Sequence, residues 1–157
     1  MLSAVYRLDR SQRIEAPLEE VFAFFSDPSN LAAITPPWLR FRICGVPPSP
    51  LAEGSRIEYR IRWASLCLRW VTRITRWNPP AEFADLQEEG PYAFWVHTHR
   101  FRAEEGGATM EDHVEYSLPF GLLGRFVHAL SVRRRLEAIF DYRRTAIADL
   151  FSSGRER

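Results

Sequence analysis

Two alternating runs flank Gly106-Gly107, and their pairing is chosen to keep arginine out of the interior. In the first run Trp95, His97, His99 and Phe101 share a face, because side chains at i and i+2 of a strand point the same way. In the second, Met110, Asp112, Val114, Tyr116 and Leu118 share a face, with Glu111, His113 and Glu115 opposite. The glycine pair suits a hairpin connection over residues 103–108. Setting Phe101 beside Met110 puts His99 beside Asp112, His97 beside Val114 and Trp95 beside Tyr116. A slip of one residue would turn Arg100 and Arg102 inward. Two imidazoles between aromatics make a poor solvent face and an unusual core face, so this face is read as the wall of a cavity.

The rest of the chain supplies what such a hairpin packs against. Residues 5–14 alternate, with Tyr6, Leu8 and Ile14 on the buried parity. Arg10 and Gln12 share that parity, so either a bulge returns them to solvent or they point inward. Pro17 suits the first turn of a helix, and Glu19 and Glu20 favour its positive end. Val21, Phe22, Phe24 and Phe25 make that helix short and apolar. Ser26-Asp27-Pro28 stops it and caps a second short helix to about Ile34. Thr35-Pro36-Pro37-Trp38 breaks the chain again.

Further strands are predicted over residues 39–44, 57–63, 66–77 and 83–87. In these, Ile57, Tyr59, Ile61 and Trp63 alternate with charged residues, and Leu68, Trp70, Thr72 and Ile74 share a face. Phe83, Asp85 and Gln87 fall on one parity. Residues 122–151 read as one long helix, with an apolar stripe of Ala129, Val132, Leu136, Ile139, Phe140, Ile147 and Leu150. Arg143 lies within about 20° of the centre of that stripe, so it is paired or it snorkels. The tail, residues 152–157, is polar and expected to fray.

The order is strand, two short helices, six strands, long helix, which is an α+β pattern of one antiparallel sheet and one amphipathic helix. A chain of 157 residues fits a single domain, residues 1–157, with a core that needs no staples. Its net charge of +1 creates no field toward nucleic acid or an anionic membrane. No apolar run approaches a membrane span, and Met-Leu-Ser-Ala-Val-Tyr-Arg has no signal-peptide core. Every basic residue is arginine, and the lack of lysine excludes Schiff-base chemistry. Cys44 and Cys67 form neither a metal spacing nor a disulfide framework. These features lead to the expectation of a cytoplasmic protein, monomeric or weakly homodimeric, without nucleic-acid or integral membrane contact.

This order resembles the helix-grip fold of the START/Bet v 1-like superfamily, also called SRPBCC or polyketide cyclase-like. The residues carrying the resemblance are Ile14-Glu-Ala-Pro-Leu-Glu-Glu-Val-Phe-Ala-Phe-Phe25, Asp27-Pro-Ser-Asn-Leu31, Ile34-Thr-Pro-Pro-Trp-Leu39, Gly90-Pro-Tyr-Ala-Phe-Trp-Val-His-Thr-His-Arg-Phe101 and Asp112-His-Val-Glu-Tyr116. They cover nearly the whole chain, and the segments with Thr-Pro-Pro-Trp and Trp-x-His-x-His-x-Phe look like a bacterial branch of small ligand-binding proteins. The resemblance implies a seven-stranded antiparallel sheet gripping the C-terminal helix, with a pocket between them. It implies no single reaction, because the superfamily holds carriers, receptors, cyclases and oxygenase subunits.

Within that pocket the candidate catalytic residues are His97, His99 and Asp112. A His-x-His pair on one strand face is also a metal arrangement, but it wants further ligands, and Asp85 and Asp112 are the only extras. No metal and no cofactor are expected. The alternatives are a buried, satisfied His99–Asp112 pair, contact with a ligand, or proton transfer. His97, beside Val114, has no obvious partner. Arg143, opposite Asp112 or Asp85, forms a structural ion pair or recognises an anionic ligand end. Trp38, Tyr59, Trp63, Trp70, Trp95, Tyr116 and Gln87 complete the expected ligand contacts, with Trp38 as a lid at the mouth. The guest is then a hydrophobic or aromatic small molecule. The expected activity is binding, with a cyclase- or dehydratase-like lyase using His97 or His99 for proton transfer as the alternative.

Overall fold

The computed structural model describes residues 4–63 and 65–153. Strand β1 (Tyr6–Ile14) leads to helix α1 (Leu18–Phe25) and two short 3₁₀ turns, Pro28–Ile34 and Pro37–Leu39. Six strands follow: β2 (Arg42–Ile43), β3 (Arg56–Trp63), β4 (Leu66–Asn78), β5 (Glu82–Glu89), β6 (Phe94–Glu104) and β7 (Gly107–Ser117). A helical stretch closes the chain as α2 (Gly121–Val127), a π-helical turn (His128–Val132) and α3 (Arg133–Ser153). The strands form one antiparallel sheet in the order β1-β7-β6-β5-β4-β3-β2, curled against α3.

Local chemistry explains the early elements. Glu19 and Glu20 sit in the first turn of α1, while Val21, Phe22 and Phe25 are its buried face. Asp27 accepts hydrogen bonds from the Ser29 backbone N–H at 2.9 Å and from its hydroxyl at 2.7 Å, capping the first 3₁₀ turn. Most of the predicted strand over residues 39–44 is not strand. Leu39 belongs to a 3₁₀ turn, Arg40 takes a left-handed conformation, and pairing shrinks to Arg42 and Ile43.

The expected hairpin register is the observed one: Phe101 pairs with Met110, His99 with Asp112, His97 with Val114 and Trp95 with Tyr116. The turn itself is tighter than residues 103–108, since Ala103 and Glu104 still pair with Ala108 and Gly107. Strand β1 pairs with β7 without a bulge, so Arg10 and Gln12 do point to the helix side. Helix α3 receives them. Gln12 donates to the Arg144 carbonyl at 2.9 Å, and Arg10 lies 3.8 Å from Asp141. The outer face of the sheet carries cross-strand pairs such as Arg69 with Glu58 and Arg100 with Glu82. Each such exposed pair is worth at most about 1 kcal/mol.

The C-terminal helix departs from a single regular spiral at its π turn, which widens one turn and rephases the stripe. Val132, Leu136, Phe140 and Ile147 are buried and Ile139 is half-buried. Leu150 is 42% exposed, contrary to expectation. It sits at the edge of the stripe, and Phe151, four residues after Ile147, packs on Phe24 instead. The side chain of Ala129 lies outside the described residues. Helix α3 runs to Ser153, and the rest of the tail also lies outside them.

The interior divides into two apolar clusters. One gathers Phe22, Phe25, Ile57, Phe83, Phe101 and Ile147 beneath α1, and the other gathers Trp70, Trp95, Val114, Tyr116, Leu136 and Phe140. Gly107 lets β1 approach β7 closely, because a Cβ there would stand 2.3 Å from the Ile14 carbonyl oxygen. Backbone cannot swing aside as a side chain can, so Gly107→Ala should cost about 1–3 kcal/mol, the range for an overpacked site. Urea denaturation checks this, and an unchanged midpoint would contradict it.

Candidate functional site

A cavity of about 490 Å³ lies between the sheet and α3, within the size range of small-molecule sites. Alternation along the strands aims its wall. Ile57, Tyr59, Ile61 and Trp63 of β3 reach it, as do Leu68, Trp70, Thr72 and Ile74 of β4. Trp70 stacks on Tyr59 at 5.8 Å and meets Trp95 edge-on at 5.3 Å, which makes one side aromatic. Leu118, Phe120, Leu123 and Val127 line it from the start of the helical stretch.

The polar part of the wall is Asp85, His97, His99 and Arg143, with Asp112 behind it. His97 Nε2 lies 2.8 Å from Asp112 Oδ1 in a buried hydrogen bond. His99 Nδ1 is 3.1 Å from the same oxygen, but off the direction that a ring N–H bond requires. His99 Nε2 is 3.4 Å from Asp85 Oδ2, and Thr72 donates its hydroxyl to Asp85 at 3.0 Å. Arg143 Nη2 stands 3.7 Å from Asp112 Oδ1, and its guanidinium lies over the Phe25 and Phe140 rings. The expectation that His97 lacks a partner is therefore corrected: it makes the shortest contact to Asp112. Both imidazoles share that carboxylate, and their rings are 3.8 Å apart.

Burial by itself pushes the Asp112 carboxyl up, but Arg143, His97 and His99 outweigh it and hold the group well below the usual carboxylate range. Asp85 is likewise lowered, burial being outweighed by His99, His97 and Thr72. Burial and the neighbouring His99 charge lower His97. Burial also opposes the charge on His99, yet Asp112 and Asp85 together raise it. Positive charge is thus favoured on His99 over His97. Arg143 and the two imidazoles face the two carboxylates, Asp85 and Asp112.

Other expected site residues lie elsewhere. Trp38 is 56% exposed and packs edge-on against Tyr142 at 5.6 Å, outside the cavity wall. Its 3₁₀ turn directs Leu39 inward in its place. Gln87 is not in the wall. It clasps the Tyr92 backbone, donating to the carbonyl at 2.9 Å and accepting from the N–H at 3.3 Å. Tyr116 is buried behind the wall, with Tyr92 against it. Sequence reasoning did not single out Thr72, although its parity placed it on the inward face, nor the residues after Pro119. Asp85, His97 and His99 each offer a donor atom within 4.8 Å of one another, so they could hold a metal ion.

A family model described as polyketide cyclase/dehydrase and lipid transport matches residues 14–140, most of the chain. The chain belongs to that family. Solved structures share its helix-grip, START/Bet v 1-like fold. TTHA0849 of Thermus thermophilus has a TM-score of 0.70 at 15% identity, covering 95% of this chain and 99% of its own. A norcoclaurine synthase point mutant of Thalictrum flavum, in complex with a transition-state analogue, has a TM-score of 0.69 at 13% identity, covering 99% of both chains. Ara h 8.0201 has a TM-score of 0.63 at 13% identity, covering 92% and 98%. At these identities the likeness is one of fold. A search of curated protein sequences finds no match.

Asp112→Asn tests the electrostatics of this polyketide cyclase-family site. It removes the anion that His97, His99 and Arg143 share, and breaking a buried charge pair costs about 3–5 kcal/mol. The His99 charge adds stability fully present below pH 6.5, its unfolded value, and lost as pH rises through its raised pKa. His97 has the opposite sign, its lowered pKa removing stability as pH falls below 6.5. NMR titration with chelator present should place His99 above 6.5 and His97 below, with His99 moving down in Asp112→Asn. The reverse order would overturn the charge assignment.

Proposed function

We propose that the protein binds a hydrophobic or aromatic small molecule in the cavity between the sheet and the C-terminal helix. The carrying observation is a cavity of about 490 Å³ whose wall is mainly apolar and aromatic, with one polar cluster of Asp85, His97, His99 and Arg143. A flat or aliphatic guest gains by leaving water for such a wall, by roughly 25 cal/mol per Å² of apolar surface buried. Trp70 lines the cavity, and its indole N–H has no acceptor among the described residues, so an oxygen on the guest would meet a donor. Tyr59, Trp63, Trp95, Asp85 and Arg143 complete the contacts in this reading. Membership in a family described by cyclisation, dehydration and lipid transport supports a hydrophobic guest. The protein then works in the cytoplasm as a monomer or weak homodimer, apart from nucleic acid.

Ile61 is half-buried on the cavity wall, so Ile61→Trp fills the space without adding charge. It should weaken binding of an environment-sensitive apolar fluorophore at least ~10-fold, equivalent to about 1.4 kcal/mol, while leaving the thermal midpoint within a few degrees. Equal affinity in both proteins would place the probe elsewhere. Native mass spectrometry of the protein from its own host would identify the guest.

A second reading, a cyclase- or dehydratase-like enzyme, is favoured by His97. It lines the cavity while Asp112 holds its Nε2, the arrangement of an oriented general base. If the cavity is a reaction chamber, His97→Gln keeps ligand affinity within about threefold and lowers turnover by roughly 10²–10⁴-fold. Turnover of the identified guest that persists in His97→Gln would remove this reading.

A further inference from the structure

We propose that Asp85, His97 and His99 form a site for one divalent transition-metal ion on the cavity wall, whatever organic guest the cavity takes. From the sequence alone, Asp85 and Asp112 were the only further ligands within reach of the His-x-His pair, and the fold brings Asp85 to it. Asp85 of β5 pairs directly opposite His97 of β6, so adjacent strands and not a loop hold the donors. The 3.4 Å between His99 Nε2 and Asp85 Oδ2 is long for a charge-assisted N–H···O bond of about 2.7–2.9 Å. It matches two donors on a tetrahedral ion, which bonds of about 2.0–2.2 Å set roughly 3.3–3.6 Å apart. His99 is also only 5% exposed, and its Nδ1 has no aligned hydrogen-bond partner.

Asp112 stands behind this site as an orienting group. When it accepts the Nε2–H of His97, the lone pair of that ring lies on Nδ1. A carboxylate behind a metal-binding imidazole fixes its tautomer and raises its basicity. Arg143 offsets the charge of Asp112, whereas the ion pairing of Asp85 among the described residues is with imidazole alone. Asp85 is therefore the carboxylate with negative charge to offer a cation. Two imidazoles and one carboxylate beside open space suit Fe²⁺, Co²⁺ or Zn²⁺. They leave coordination positions for water or a guest oxygen.

Chelator-treated protein titrated with Co²⁺ tests the site, read by visible absorption and by paramagnetic NMR shifts. The expected result is one ion per chain, with Kd below ~10 µM. The largest shifts should fall on His97, His99 and Phe83, whose ring lies 4.2 Å from His99. Asp112→Asn should weaken binding roughly 10–100-fold, and Asp85→Asn by at least as much. His113 contacts Asp9 and Glu111 at the outer surface, so His113→Ala is the control and should change nothing. Three results would each overturn the site: no stoichiometric Co²⁺ in the wild type, affinity unchanged in Asp85→Asn, or shifts centred on His113. The wild-type shifts decide the matter even if a variant fails to fold. Fluorophore binding in the cavity is a separate readout, so loss of the metal site leaves the ligand-binding proposal standing.

Discussion

A carboxylate buried between two apolar clusters is tolerable only if every neighbour is arranged around it, and Asp112 is that carboxylate here. Its oxygen is reached by His97, His99 and Arg143, which come from β6 and α3. The contacts cross from sheet to helix, so one anion ties together the two layers that enclose the cavity. The rings that flank the cluster belong to both apolar groups: Phe83 stacks on His99, and Phe140 meets His97 edge-on. Asp85, His97, His99 and Arg143 keep the wall polar where the two clusters adjoin it. Buried ion pairs add little net stability compared with apolar packing. Their value here is geometric, since they tie the sheet to the helix.

Most of the architecture was legible from side-chain alternation. A slip of one residue in the β6–β7 hairpin would have buried Arg100 and Arg102, which fixed the parity, and the Gly106-Gly107 turn set the register within it that is observed. The inward faces of β3 and β4 followed in the same way from Ile57, Tyr59, Trp70 and Ile74. The site was legible in part, since His99 was placed beside Asp112 and Arg143 opposite it, and both approach its carboxylate. Register describes which residues stand directly opposite, as His99 does Asp112, whereas other contacts of the cluster run diagonally. His97 stands opposite Val114 yet bonds Asp112, and His99 stands opposite Phe83 yet approaches Asp85. Diagonal neighbours on one face lie within reach of long or aromatic side chains, and parity alone does not choose among them.

The misjudged residues share another cause. Trp38, Gln87 and Leu150 sit where a regular element ends, and periodicity carries no information past that point. Trp38 follows two prolines into a 3₁₀ turn that sends its indole to Tyr142. Gln87 is near the end of β5, where its amide serves the turn to Tyr92. Leu150 lies in the last turns of α3, where Phe151 takes the inward place.

The pairing of β1 with β7 sets the order in which this molecule is completed. Tyr6 finds its partner only at Tyr116, so the first strand made stays unpaired on both edges until nearly the whole sheet exists. Contacts this distant along the chain slow folding, because loop-closure entropy is spent before any ladder bond repays it. Every ladder contact of β1 is with β7, so it cannot form before residues 107–117 are available. The cavity has a later requirement still: α3 follows β7 in the chain and supplies Leu136, Phe140 and Arg143 to the wall, so a guest is enclosed only once this last element has docked.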